Sequence, residues 1–169
     1  MGKRLSHEEL AEIVDAHTDA LVLFARQWST DLAADVVQEA FLQLVRCVQT
    51  GDVPDNIGAW LYRVVRNELI TQHHRRRSAH TREQRVAAER CDWFEPSVDV
   101  QLDARLAARQ LAELPIEQRE TVVARIWGGL SFEEIAELTQ TSRSTAHRRY
   151  LQAIESLRNG LGRDGGPGS

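Results

Sequence analysis

Between Leu130 and Arg158 the chain carries two helix starts separated by a very short turn. Ser131 and Glu134 have the S-x-x-E spacing of a capping box, in which each side chain satisfies a backbone N–H left open at a helix start. A short periodic segment follows, with Phe132, Ile135, Ala136 and Leu138, and then the turn Thr139-Gln140-Thr141. Ser142 is placed to cap a last helix, with Ala146, Tyr150, Ala153, Ile154 and Leu157 on its inward face. So tight a turn makes the two helices cross steeply, which predicts a helix-turn-helix. The second helix of such a motif enters a DNA major groove, and its N-terminal side chains meet base edges. The exposed positions there are Arg143, Ser144, His147, Arg148 and, one turn on, Gln152. Arg pairs bidentately with guanine and Gln with adenine. Thr145 and Arg149 lie toward the flank and suit phosphates. The plain alternative is a helical hairpin with a solvated basic face.

The rest of the chain is also helical in pattern, and no stretch alternates as a strand would. Ser6 and Glu9 make another capping box, ahead of Leu10, Ile13, Val14, Leu21, Phe24 and Trp28. Thr30 or Asp31 can cap a second helix running to about Val48, with Val36, Val37, Phe41, Leu44 and Val45 among its apolar members. Thr50 to Asn56 is loop chemistry, and a long helix from Ile57 ends in His73-His74-Arg75-Arg76-Arg77. Cys91-Asp92-Trp93-Phe94-Glu95-Pro96-Ser97 has no period and contains a helix-stopping Pro. Pro115 suits the first turn of a helix carrying Val122, Val123, Ile126 and Trp127, which Gly128-Gly129 ends. The expected fold is all-α: two small helical domains, 5–78 and 98–160, joined by a flexible linker, 79–97. A Gly-rich tail, 161–169, is expected to be disordered.

Charge narrows the function classes. Net charge is −4, yet Ile57 to Arg90 holds eight Arg against three Glu, and Ser142 to Arg158 four Arg against one Glu. A phosphate-facing role is therefore confined to two basic stretches, and the acidic remainder can meet a basic protein. Trp60, Arg63, Arg66, Asn67, Gln72 and Arg75 to Arg77 combine an aromatic with cations on one helix, which suits unpaired DNA. Core packing is the competing account of Trp60, and a solvated helix end that of the Arg run. Cys47 and Cys91 lack metal-ligand spacing and read as free thiols of a reducing cytosol. His73, His74 and His80 invite a metal reading, but the adjacent His73 and His74 point to different helix faces and no Cys or carboxylate completes a set, so no metal is expected. No nucleophile elbow, phosphate-cradling Gly loop or His-Glu-x-x-His is present, so no catalytic residue and no cofactor are expected. The polar N-terminus and the absence of a membrane-length apolar run point to a cytoplasmic protein.

Gly129-Leu130-Ser131-Phe132-Glu133-Glu134-Ile135-Ala136-Glu137 resembles the "GLSYEEIAE" segment of the extracytoplasmic-function sigma factors of bacterial RNA polymerase. Asp35-Val36-Val37-Gln38-Glu39-Ala40-Phe41 is similar to their "DLVQEAF", and Trp60-Leu61-Tyr62-Arg63-Val64-Val65-Arg66-Asn67 to "WLYRIARN". Leu114-Pro115 is similar to the "LP" opening their second domain, so four motifs agree in order and spacing. The resemblance implies that Asp35, Gln38 and Glu39 bind the clamp helices of the polymerase β′ subunit. It implies that the loop Asp52 to Asn56 captures a base flipped from the promoter element near the start site, and that the interdomain segment threads the polymerase cleft. The implied partners are core RNA polymerase, through its β′ clamp helices and β subunit, promoter DNA, and an anti-sigma protein. The turn departs from the family's "LGIS", so Gln140 must take the left-handed geometry of the missing Gly, or the turn must change shape. Two other classes stay open: a stand-alone helix-turn-helix regulator, and a helical protein-interaction module.

Overall fold

The computed structural model describes the backbone of residues 5–80 and 101–164, with side-chain surroundings for 5–78 and 107–160. Every element among the described residues is a helix: α1 (His7–Arg26), α2 (Thr30–Thr50), α3 (Ile57–His80), α4 (Gln101–Glu113), α5 (Ile116–Ile126), α6 (Phe132–Thr139) and α7 (Arg143–Asp164). The chain divides into two compact units, Met1–Arg90 and Cys91–Ser169. None of the described helices is long and apolar enough to cross a membrane.

In the first unit α1, α2 and α3 pack mutually. The Ser6 box forms as expected, with Glu9 N–H donating to Ser6 Oγ at 3.2 Å and Ser6 N–H to Glu9 Oε2 at 2.7 Å. On α2 the residues Ala33, Val36, Val37, Ala40 and Leu44 are buried, a stripe at three- and four-residue steps. They meet Leu21, Phe24 and Ala25 of α1 and Leu61, Tyr62, Val65 and Leu69 of α3 in a sealed core. Phe24 sits edge-on to Tyr62, centroids 5.0 Å apart. Each large apolar side chain buried there contributes roughly 1.5–3 kcal/mol.

Three details differ from the sequence reading. Helix α2 starts at Thr30 and is capped by Ser29, whose side chain makes no capping bond. It runs to Thr50, where Gly51 at φ +83° ends it. Val14 and Val45, counted with the apolar faces, are each 36% exposed, because an amphipathic stripe turns away from the core at its margins. Helix α3 continues through His80, past the expected end at Arg77 and over the first residues of the expected linker. The rest of that linker lies outside the described residues.

The second unit is built on α7, against which α4, α5 and α6 pack. Ala146 and Ala153 of α7 are fully buried, and their small size permits close helix approach. Residues 98–100, where the second domain is expected to begin, lie outside the described residues. Pro115 is the N-cap of α5 rather than a first-turn residue; its carbonyl accepts from Gln118 and Arg119 N–H at 3.0 Å each. Val122 and Val123 are buried, but Ile126 and Trp127 are about half exposed, because α5 ends there and its last turn leaves the core. Ser131 forms its box with Glu134, with bonds of 3.2 and 2.6 Å. Helix α7 runs on to Asp164, beyond the expected boundary at residue 160. Residues 165–169 of the Gly-rich tail lie outside the description.

Candidate functional site

The turn between α6 and α7 keeps its shape without glycine. Gln140 takes the left-handed conformation at φ 54°, ψ 45°, and its N–H closes the end of α6. Ser142 then accepts from Thr145 N–H at 3.1 Å, as a capping residue should. Its hydroxyl also lies 3.0 Å from Ser144 Oγ and donates to Thr145 Oγ1 at 2.9 Å, so three hydroxyls meet at the start of α7. Arg143, Ser144, His147, Arg148 and Gln152 are all exposed. Their positions bring them to one accessible side of the helix, where they can meet a groove together. Thr145 and Arg149 are half-buried at the flank.

Two of these side chains are already engaged by α6. Arg143 Nε lies 2.8 Å from Glu133 Oε1, both groups well exposed. His147 stands edge-on to Phe132, ring centroids 4.9 Å apart. Phe132 also meets Tyr150 at 5.5 Å, and the Arg125 guanidinium lies 4.8 Å from its ring centre. Arg125 donates to Leu130 O at 2.7 Å, which ties the end of α5 to the segment entering α6. The sequence marked Phe132 only as an apolar position of α6. No local pattern discloses a ring shared by three helices.

The other basic helix holds its residues differently. Arg63, Asn67 and Arg75 to Arg77 are exposed, and Trp60 is half-buried, between the core and surface accounts. Arg66 is half-buried, its guanidinium 5.7 Å from the centre of the Trp28 ring. His73 meets the same Trp28 edge-on at 6.3 Å. Gln72 donates to Glu68 at 2.7 Å and is half-buried. Asn56 caps α3, its Oδ1 accepting from Ala59 N–H at 3.0 Å, while Asp52 is exposed. Beside this helix start, His17 of α1 lies so near Gly58 that a Cβ there would meet His17 Cε1 at 3.2 Å. Burial pushes the His17 imidazole below its ordinary range. His17 carried no motif, and only the fold brings it to this place.

On α2, Asp35 and Gln38 are exposed, and Glu39 is half-buried with its carboxylate 3.2 Å from Arg46. Leu42, 46% exposed, and Val45 continue the same side of the helix at seven and ten residues from Asp35. The patch is thus acidic and amide at one end and apolar at the other. Among the described residues, no three His, Cys, Asp or Glu side chains gather to hold a metal ion.

Comparison with known proteins covers both units. The family described as Sigma-70 region 2 matches residues 13–79, and that described as Sigma-70, region 4 matches residues 104–157. The ECF RNA polymerase sigma factor SigL of Mycobacterium tuberculosis is 31% identical over 153 residues, covering 86% of this chain and 85% of its own. The RNA polymerase sigma-H factor of Pseudomonas aeruginosa is 28% identical over 141 residues, 76% of this chain and 72% of its own. In fold, the chain is similar to the sigma factor RpoE of Bartonella quintana, solved in complex with the anti-sigma factor NepR. That match has a TM-score of 0.69 at 24% identity, over 91% of this chain and 97% of the other.

Proposed function

The chain belongs to the extracytoplasmic-function sigma factors and directs transcription initiation, and from that premise we propose a residue-level division of labour between its two units. Core RNA polymerase and promoter DNA are its partners. The α2 patch of Asp35, Gln38 and Glu39 receives the basic β′ clamp helices, and exposed Leu42 and Val45 extend that contact with apolar area. Asp52 and Asn56 line the loop that takes a flipped base, and α3 supplies Trp60, Arg63, Arg66, Asn67, Gln72 and Arg75 to Arg77 to the melted strand. The second unit reads duplex, through Arg143, Ser144, His147, Arg148 and Gln152 at base edges and Thr145 and Arg149 at phosphates. The protein works by positioning the polymerase, without chemistry of its own. An anti-sigma protein restrains it, as one binds the similar sigma factor from Bartonella quintana.

The observation carrying most of this reading is the capped α6–turn–α7 arrangement with its exposed basic face, in a chain that also presents the α2 patch. Transcription in vitro with core polymerase, with and without the full chain, tests it. The chain is expected to confer initiation at its promoters and to co-elute with core. The double variant D35A/Q38A is expected to lose core association by tenfold or more, about 1.4 kcal/mol, while keeping its own fold. Unchanged association would overturn the α2 assignment. Tight duplex binding by a dimer, without polymerase, would instead favour the stand-alone regulator.

A further inference from the structure

We propose that the first turn of α6 sets base discrimination from outside the groove, with Phe132 and Glu133 acting as positioning residues for His147 and Arg143. The proposal rests on the reading that α7 faces promoter duplex. Neither α6 residue is asked to touch DNA; each acts through a side chain of α7.

The geometry assigns one partner to each. A side chain on a helix has two ordinary χ1 wells, because the third collides with the preceding turn. The Phe132 ring, edge-on to His147 at 4.9 Å and 85°, favours one of them. The ring is itself held: Tyr150 lies 5.5 Å away, and the Arg125 guanidinium sits 4.8 Å from the ring centre while bonded to Leu130 O. An imidazole leaning on such a ring is presented to the groove already oriented. Glu133 does the same for Arg143 through an ion pair, its Oε1 2.8 Å from Nε. That contact leaves the two η nitrogens for an end-on bidentate bond with guanine. Glu133 also places a negative charge next to a surface meant for phosphates, which lowers affinity for every duplex alike. Its two effects have opposite signs, one on general affinity and one on discrimination.

The test is selection of bound duplexes from a library randomised over the upstream element, using holoenzyme assembled from core polymerase and the full chain. R143A and H147A first mark the base pairs each side chain reads. If neither alters any preference, the groove-facing reading of α7 fails, and this proposal with it. If they do, F132L is expected to lose preference several-fold at the His147 position alone, and F132Y, which keeps the ring, to retain it. Loss spread evenly over all positions, or no loss, overturns the role of Phe132. E133Q alters only a surface group and stays informative should F132L fold poorly. It is expected to bind non-specific duplex at least as tightly as the parent. Its preference at the Arg143 position should fall about two- to fivefold, the range of an exposed ion pair. Weaker binding everywhere, or undiminished preference, overturns the role of Glu133.

Discussion

Helices α3 and α7 are the two arginine-rich helices, and they restrain their cations by different means. On α3, half-buried Arg66 lies over the ring of Trp28, a residue of the α1–α2 junction. On α7, Arg143 is held by Glu133, with both groups in solvent. The first arrangement makes a cation proposed to face DNA part of the packing, and the second leaves such a cation nearly independent of stability. The units differ in the same sense at their helix ends. Gly51 ends α2 in the left-handed region where glycine is at ease, whereas Gln140 ends α6 there with a side chain attached. The unit expected to hold melted strands thus shares side chains between core and interface. The unit expected to read duplex confines its strain to a turn.

The contrast can be broken, and the largest effect is expected at Trp28. Trp28→Ala should cost about 2–4 kcal/mol in the first unit, somewhat below full burial, by removing the platform of both Arg66 and His73. Arg143→Ala should leave stability within about 0.5 kcal/mol. Amide exchange of the full chain, read helix by helix, separates the two; equal losses would end the comparison. Next comes Tyr62, fully buried, whose hydroxyl meets no hydrogen-bond partner among the described residues. Tyr62→Phe should raise the stability of the first unit by about 1 kcal/mol, since an unsatisfied buried group is removed and the edge-on contact with Phe24 is kept. A destabilised Phe variant would show that the hydroxyl has a partner in solution.

The helix ends sharpen the comparison further. Gly51→Ala and Gln140→Gly should move stability in opposite directions, each by about 1 kcal/mol or less, the first down and the second up. Thermal melts of the two variants give the signs. The smallest effect is expected at His17. Burial lowers its pKa from 6.5, so the folded chain takes up this proton at lower pH than the unfolded chain does. The contribution is therefore fully present above about pH 6.5 and falls away as pH drops through the window beneath it. His17→Gln should flatten that part of the stability curve just below about pH 6.5; an unchanged slope would place its origin elsewhere.

Much of this was legible in the chain because its signals are local. The capping boxes at Ser6 and Ser131 formed where their spacing put them, since a cap needs only residues three apart. Of the two outcomes open at the turn, Gln140 took the left-handed geometry and the turn kept its shape. The extent of α3 and α7 was less legible, because helix ends carry weak signals where no cap or proline stops them. Exposure of Val45, Ile126 and Trp127 was also missed, because periodicity says which residues are apolar and not how far a neighbouring helix reaches.

The helices, their order, the two basic segments and the family motifs are written locally in the chain, because each depends on near neighbours. Packing alone brings Arg66 and His73 to Trp28, sets His17 against the start of α3, and gathers Arg125, His147 and Tyr150 around one ring at Phe132. Those contacts join residues from separate segments of the chain. Their geometry follows from how whole helices pack, which no pattern of three, four or seven residues encodes.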